Sequence, residues 1–559
     1  MKKTIITGAL ALAAFGGGLG LSSCGDFLEI TPLNGVVVEN YWEKKSEVES
    51  VITACYYEMQ NADFSRRVIA WGEMRGDNTG ETSDLMNEKN LELYNFFTNN
   101  ITPDNSWTSW SAFYNVINLC NTVLYYAPQT QARDGNYTMD ELHTHEAEVK
   151  AIRALCYFYL IRSFEKVPLV TTATIGDDES FQVAASSEDV VLDFIVSELE
   201  WAQQYIWDRN YFSADREKQK GRFNKQSVRA LLADVCLWRG DYARCEELCQ
   251  GIIDEKLADY ATLQADMAAG NLTQYMYEGD VTLYNGYPLL NASSSDAGSM
   301  DYPYFMIFYT GNSFESIFEL QYDYEDRSAG NEGVTFFYGN HDSNLKMGML
   351  SAATYLTNQG ANDLFSNGND TRLVAATGYD GSTTSDSYPI CKMRTYPIES
   401  SGGGVGIVVR STAENWIIYR LTDIMLMQAE ALAYMGGDEN CQKAFDLVQA
   451  VNLRACQGVS RLQYDEDEIK NLVLDERQRE LLYEGKRWYD LVRMVRHADN
   501  PTQMMSTLRS RLQRKYTSGG ADAVARIGSL HNLFLPFCQT EIDVNPLLEA
   551  DQNPAYSIY

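Results

Sequence analysis

Apolar residues recur at three- and four-residue steps through much of the first half of the chain, the spacing that gathers them on one face of a helix. Ser46 to Gln60 carries Val48, Val51, Ile52, Cys55, Tyr56 and Met59 in this register. Trp107 to Tyr126 repeats it with Trp110, Phe113, Tyr114, Ile117 and Leu124. Glu146 to Phe164 does so again through Val149, Ile152, Cys156 and Leu160, and Pro168 marks a stop soon after. Two later segments share another grammar: a helix with small residues on one face, a glycine turn, then a second helix. One runs from Arg229 to Leu248 around Gly240. The other runs from Leu426 to Asp438 around Gly436 and leads into Ala444, Leu447, Val448 and Val451. Small residues let paired helices approach closely, and glycine can take the left-handed turn between them. This is the logic of tetratricopeptide hairpins, but the two units lie too far apart in sequence for a plain solenoid.

Between them, from about Tyr260 to Asn415, helical periodicity fades and Gly, Ser, Asn, Asp and Tyr dominate. Loops of this length in a compact protein are usually functional. The expected layout is a leader over 1–23, an N-terminal helical region over 24–259, loop-rich insertions over 260–415 and a C-terminal helical region over 416–559.

The leader reading rests on order. Lys2 and Lys3 precede an apolar, small-residue run from Thr4 to Leu21, which ends in Leu21-Ser22-Ser23-Cys24. That is a lipoprotein signal pattern, with cleavage before Cys24 and acylation of the cysteine. Gly16, Gly17, Gly18 and Gly20 weaken the run as a membrane span, and no second apolar stretch of spanning length follows. Losing both leader lysines takes the formal charge from −32 to −34. Such acidity excludes nucleic acid as a ligand, since phosphates would be repelled, and suits a neutral or cationic ligand. The ten cysteines after Cys24 are scattered among apolar neighbours with no close C-x-x-C pair, so neither a disulfide framework nor a zinc site is expected.

The C-terminal third carries Asp475-Glu-Arg-Gln-Arg-Glu-Leu-Leu-Tyr-Glu-Gly-Lys-Arg-Trp-Tyr-Asp-Leu-Val-Arg493. This closely resembles the signature of the SusD/RagB family of Bacteroidetes nutrient-binding lipoproteins, with Lys486 where histidine is common. Four further blocks resemble the family in the same order. They are Cys24-Gly-Asp-Phe-Leu-Glu with Thr31-Pro32; Tyr41-Trp42; Tyr419-Arg420-Leu-Thr-Asp423 running into Gln428-Ala-Glu430-Ala; and Phe534-Leu-Pro-Phe with Glu541-Ile542, Asn545-Pro546 and Gln552-Asn553-Pro554. The resemblance implies a mostly α-helical fold in which tetratricopeptide-like hairpins support an irregular, loop-rich ligand-binding half. It implies an outer-membrane, surface-exposed location and a partner, a SusC-like TonB-dependent transporter. Its ligands are oligosaccharides in most members and peptides in some, and either is compatible with these residues.

Glu476, Glu480 and Glu484 repeat every four residues, and paired carboxylates are what glycoside hydrolysis needs. Arg477, Arg479 and Arg487 are interleaved with them, however, which favours ion pairs between helices. The five histidines do not converge, and no P-loop, G-x-S-x-G or dinucleotide fingerprint is present. A binding protein is therefore expected rather than an enzyme. A surface glycoside hydrolase and a scaffold that binds only protein remain the alternatives. No cofactor is expected, though Asn362-Asp363 and Asn369-Asp370 leave a structural Ca²⁺ open despite lacking EF-hand spacing.

Aromatics are the informative excess, with 36 Tyr, 22 Phe and 9 Trp. Sugar rings stack their C–H faces on flat side chains, while their hydroxyls need Asn, Asp or Arg partners. Helix aromatics such as Trp110, Tyr114, Trp238 and Trp488 have core spacing. Loop aromatics have the better claim to a ligand: Trp71 in the block with Arg75, Asp77 and Asn78, and Tyr284, Tyr287, Tyr302 and Tyr304. An ion pair without a ligand is an equal reading for Arg75 and Asp77. Tyr379, Tyr388 and Tyr396 are the next choice.

Overall fold

A computed structural model describes residues 41–175, 182–271, 279–292, 303–322, 330–339, 348–357, 364–367, 369–377, 388–393, 395–399, 405–409 and 414–556. Cys24, Tyr302, Tyr379 and the Asn362-Asp363 pair lie outside the described residues. The architecture is mostly helical, with short two-stranded sheets between the helices.

The first helices are α1 (Lys45–Gln60), α2 (Ala62–Ile69), α3 (Ser111–Arg133), α4 (Met139–Phe164) and α5 (Glu188–Tyr205). α4 is the hub, packing against both α3 and α5. From Ala147 to Phe164 every residue but Lys150 is buried, so the helix is enclosed on all sides rather than along one stripe, with Glu148, Arg153 and Arg162 in ion pairs to Arg222, Glu198 and Asp234. It starts earlier than apolar spacing predicts because Thr138 closes a capping box. Its hydroxyl accepts from the Glu141 N–H at 3.2 Å while the Glu141 carboxylate accepts from the Thr138 N–H at 2.9 Å. α3 starts later than predicted: Ser106–Thr108 forms a separate 3₁₀ turn, and the helix proper begins at Ser111.

Both glycine-centred segments form helical hairpins. α6 (Lys225–Arg239) ends on Gly240 in the left-handed conformation, φ +84°, and is followed by α7 (Tyr242–Ala268). α8 (Leu421–Met435) turns through Gly436 and Gly437, φ +69° and +85°, into α9 (Asp438–Ala455). Although far apart in sequence, the hairpins join in space through α7 and α8. α7 also carries helix to Ala268, beyond the boundary expected at 259. α10 (Ile469–Glu480) and α11 (Arg487–Arg496) follow, and α10 packs on both α8 and α9.

The middle region is tied to this scaffold by β pairing. Strand Ser316–Leu320 runs antiparallel to Trp416–Arg420, both fully buried, with register shifts between Ile417 and Arg420. Val281–Tyr284 and Tyr287–Leu290 form a hairpin whose two-residue turn, Asn285-Gly286, has φ +49° and +88°, the positive-φ pair such turns require. The ten cysteines after Cys24 are all buried thiols, with Cys55 Sγ and Cys120 Sγ 3.9 Å apart between α1 and α3.

Candidate functional site

The signature segment folds into a buried ion-pair lattice. α10 ends at Glu480, and Tyr483 and Gly485 take positive φ (+63° and +71°), so Glu484 reaches inward from a turn rather than from the helix. Arg420, at the end of its buried strand, holds both carboxylates: Nη1 donates to Glu480 Oε1 at 2.7 Å, while Nε and Nη2 donate to Glu484 at 2.9 and 2.7 Å. Arg454 of α9 bridges Glu480 to Glu315, and Arg372 bridges Glu480 to Glu476. Lys392 completes the cluster on Glu484 at 2.6 Å. Burial alone would raise the Glu480 carboxyl, but Arg454, Arg420 and Arg372 together hold it well below the usual carboxylate range. All three glutamates are 0 % exposed at their side chains. Carboxylates locked on guanidinium groups beyond solvent offer no general acid or base to a glycosidic bond.

The Trp71 block is also interior, which corrects its expected place on a ligand surface. Trp71 and Arg75 are each 1 % exposed, Asp77 2 % and Asn78 0 %. Arg75 donates to Asn99 Oδ1 and to the carbonyls of Asn532 and Leu533, with its guanidinium 4.1 Å over the Trp488 ring. Asp77 pairs with Arg487 at 2.6 and 3.1 Å, and Asn78 bridges Glu73 and Gln478. These residues fasten the N-terminal turn Ala70–Met74 to the signature and the closing segment. Tyr304 is buried as well, with Arg454 5.1 Å from its ring. Asp370 is engaged by Arg372 at 2.7 and 2.9 Å rather than facing an open loop.

Trp71 does reach the surface indirectly. Its indole N–H donates to the Trp107 carbonyl at 2.8 Å, and Arg67 donates to the Ser109 and Ser106 carbonyls at 2.7 and 3.2 Å. Together they pin the Ser106–Ser109 loop by its backbone. Trp107 is left half-buried and stacked on Phe336, ring centroids 5.8 Å apart. The Arg66 guanidinium lies 4.5 Å over the Phe336 ring and pairs with Glu332 at 3.2 Å. Glu92 accepts from the Ser106 N–H at 3.2 Å on the other side of the loop. Trp107 and Phe336 thus form a half-buried ring pair with hydroxyl, carboxylate and guanidinium groups at its rim. Elsewhere, Tyr284 and Tyr287 flank the hairpin turn half-buried, the Tyr284 hydroxyl taking the Ala292 N–H at 2.9 Å, and Asn285 anchors the turn to the Asp446 carbonyl. Tyr388 is buried beside strand Leu350–Ala352, and Tyr396 lies on strand Thr395–Glu399, where the backbone alone is described.

Two family models match the chain at its two ends. One, described as the SusD family, matches residues 373–556. The other, described as starch-binding associating with outer membrane, matches residues 26–237. The chain belongs to the SusD-like family. A SusD-like protein of Formosa agariphila is 25% identical over 495 residues, covering 85% of this chain and 88% of its own. One from Bacteroides ovatus is 25% identical over 222 residues, 40% of this chain and 38% of its own. Among solved structures, a SusD superfamily protein of Bacteroides fragilis aligns with a TM-score of 0.66 at 19% identity, covering 92% of this chain and all of that one. A structure described as a laminarin-binding SusD-like protein aligns at 0.59 and 21% identity, with 92% and 100% covered.

In this SusD-like chain the rings that reach the surface thus include Trp107 and Phe336, which loop composition does not select, beside Tyr284 and Tyr287, which it does. Trp107 reads in sequence as the first turn of an amphipathic helix. The signal that separates it is the run Asn105-Ser-Trp-Thr-Ser109: short polar residues on both sides of a tryptophan, with Asn105 accepting from the Trp107 N–H at 3.0 Å to start the 3₁₀ turn. Phe336 carries no such mark.

Proposed function

We propose that this SusD-like protein is a cell-surface glycan-binding lipoprotein that captures oligosaccharides and delivers them to a SusC-like TonB-dependent outer-membrane transporter. The observation that carries the reading is the Trp107–Phe336 pair, half-buried, rimmed by Arg66 and Glu332 and held from below by Trp71 and Arg67. A pyranose ring laid against the exposed part of Trp107, which Phe336 backs, would bury its C–H face and keep its hydroxyls within reach of the polar rim. Pre-set rings add affinity because little side-chain freedom is lost on binding. The family description as starch-binding and the laminarin-binding neighbour support the ligand class. Tyr284 and Tyr287 are secondary candidates for the same role.

Trp107→Ala is expected to weaken binding of laminarin or soluble starch by roughly 1–3 kcal/mol, by analogy with other ring-stacking sites, about fivefold to a hundredfold in affinity. The alanine keeps the carbonyl that Trp71 holds, so the melting temperature should stay near the parent's. Calorimetric titration against a panel of neutral glycans and peptides is the measurement. Equal affinities of parent and variant for a glycan that binds would remove Trp107 from the site, and binding confined to peptides would change the ligand class.

The anchor is a separate proposal. Lys2 and Lys3, the apolar run to Leu21 and the closing Leu21-Ser22-Ser23-Cys24 support attachment to a bilayer through an acylated Cys24. Cys24→Ala should abolish incorporation of labelled palmitate and release the protein from the membrane fraction with its fold unchanged. Undiminished labelling of the variant would sink the proposal.

A further inference from the structure

Four helices of the C-terminal region leave a cleft of about 350 Å³ between them, lined throughout by described residues. They are α8, α10, α11 and α12 (Pro501–Gln513). α11 ends on His497, and Asn500 opens α12 by accepting from the Gln503 N–H at 3.1 Å, with Pro501 in the first turn. The volume lies within the ~300–1,000 Å³ typical of small-molecule sites.

One part of the lining is an aromatic ring fixed from three elements. Tyr434, in the last turn of α8, stacks on Tyr242 of α7 with centroids 5.0 Å apart and an interplanar angle of 10°. His497 meets both rings edge-on. Its Nδ1 accepts from the Tyr242 hydroxyl at 2.8 Å, while its Nε2 donates to the Trp238 carbonyl at 3.2 Å. Burial and the neighbouring Arg493 push the imidazole down to about 4, so it stays neutral and keeps that tautomer. The Tyr434 ring is therefore set before anything binds, and little side-chain freedom is left to lose. Exposed Lys470, also in the cleft, holds its ammonium 4.6 Å over the same ring. A solvated contact of this kind is weak, so a flat ligand can displace it.

Leu474, Met494 and Met504 make other parts of the lining apolar, and the unbranched methionines adapt to the shape of a ligand. The charged groups are of both signs. Glu430 has its two oxygens on Arg493 at 2.6 and 2.7 Å, which leaves further lone pairs for a donor in the cleft. Asp490 is held by the same arginine at 2.8 Å. The exposed Lys470 and Asp499 then carry one charge of each sign, with the Gln503 amide and the Thr507 hydroxyl beside them. An anionic or a cationic ligand would find one of those charges against it. A hydroxyl both donates and accepts, so a neutral polyol serves the ammonium and the carboxylates together. A pyranose adds a C–H face for the ring.

We infer that this cleft is a second saccharide site, taking a short neutral sugar against Tyr434 and the two methionines. It shares no residue with the Trp107–Phe336 surface. It rests on the saccharide-binding reading for its ligand class, but its test does not need that surface.

Met494 and Met504 supply a local reporter. The detergent-solubilised full chain, isotope-labelled at its methionine methyls, would be titrated by NMR with neutral trisaccharides of glucose, mannose, galactose and xylose. Trigalacturonate and trileucine are the comparisons. Met494→Leu and Met504→Leu, volume-conserving changes, assign the two signals. At least one neutral trisaccharide should move both signals saturably, in the parent and in Trp107→Ala alike. Tyr434→Ala should weaken that titration about fivefold to a hundredfold, the range for losing a stacking ring, and Tyr434→Phe should keep most of it. The parent and Trp107→Ala titrations decide the matter should Tyr434→Ala fail to fold. Silence of the two methyls toward every neutral trisaccharide, or loss of their response in Trp107→Ala, would overturn the inference. So would a folded Tyr434→Ala that responds like the parent, or tighter binding of the charged sugar or the peptide than of any neutral sugar. Laminarin binding that depends on Trp107 while these methyls stay silent overturns this site alone. Methyl shifts with a laminarin affinity indifferent to Trp107 overturn the Trp107 surface alone.

Discussion

Glu480→Ala is expected to destabilise the protein by about 3–5 kcal/mol, the scale for removing one partner from a buried ion pair. Glu480 is the point where Arg420, Arg454 and Arg372 meet, arriving from a strand, from α9 and from the middle region. Its loss leaves three guanidinium groups facing one another with Glu476, Glu484, Glu315 and Asp370 as their carboxylate partners among the described residues. Glu480→Gln keeps the shape and one acceptor oxygen and should lose less. By contrast, Glu439→Ala, which removes an exposed pair with Lys443, should leave the unfolding midpoint where it was. Urea unfolding followed by circular dichroism measures all three.

The acid limb of the same experiment has a defined sign. Asp490, buried between Arg477 and Arg493, is held at about 2 by those arginines against the pull of burial, and Glu480 lies below the carboxylate range for the same reason. Folded values below unfolded ones give stability that is fully present above the unfolded values, about 4, and is lost as pH falls toward the folded ones. The parent should therefore weaken steeply in acid, and Glu480→Ala less steeply. A variant with the parent's midpoint and the parent's acid limb would show that the lattice does not hold the fold. Steady release of reducing ends from a glycan, abolished by Glu480→Gln in a stable protein, would show an enzyme instead.

How much of this is legible before folding depends on range. Local signals carry the helices: the three-four spacing of α1, the glycines that close the α6–α7 and α8–α9 turns, and the alternation of acid and base in α10 that identifies ion pairs rather than catalysis. Boundaries shift where a cap outweighs periodicity, as at Thr138, or where a short polar run breaks it, as at Ser106–Thr108. Site assignment fails at longer range. Trp71, Arg75 and Asp77 have the chemistry of a sugar site and sit in a loop-like stretch, yet their partners come from 487 and 532–533, and burial is decided there. Trp107 and Phe336 meet only through the fold, and nothing in their spacing along the chain announces it.

Gly72→Ala carries the other large effect. Gly72 lies in the buried turn Ala70–Met74, where a Cβ would overlap the carbonyl group of Gly485 in the signature turn. Gly485 can make that approach because it is itself in the left-handed region, φ +71°, with its N–H donating to Glu73 Oε2 at 3.1 Å and the Trp416 ring packed where its own Cβ would go. Backbone meets backbone here, so neither side can yield by turning a rotamer. A loss of about 3 kcal/mol or more is expected, at or beyond the upper end for an added methyl group in a packed core. The damage should also reach the ligand surface, because the preceding residue, Trp71, stacks on Phe113 at 4.7 Å and holds the Trp107 carbonyl. Displacing the turn tilts that loop, so whatever folded protein remains should bind laminarin more weakly than its folded fraction accounts for. Gly135→Ala is the control: a Cβ there meets nothing within 4 Å and its backbone is not in the left-handed region, so stability should hold or rise by a few tenths of a kcal/mol. Thermal and urea midpoints of the two variants, with laminarin affinity measured below the transition, separate these outcomes. A Gly72→Ala protein that melts and binds like the parent would mean that the Ala70–Met74 turn and the signature do not meet as tightly as this packing requires.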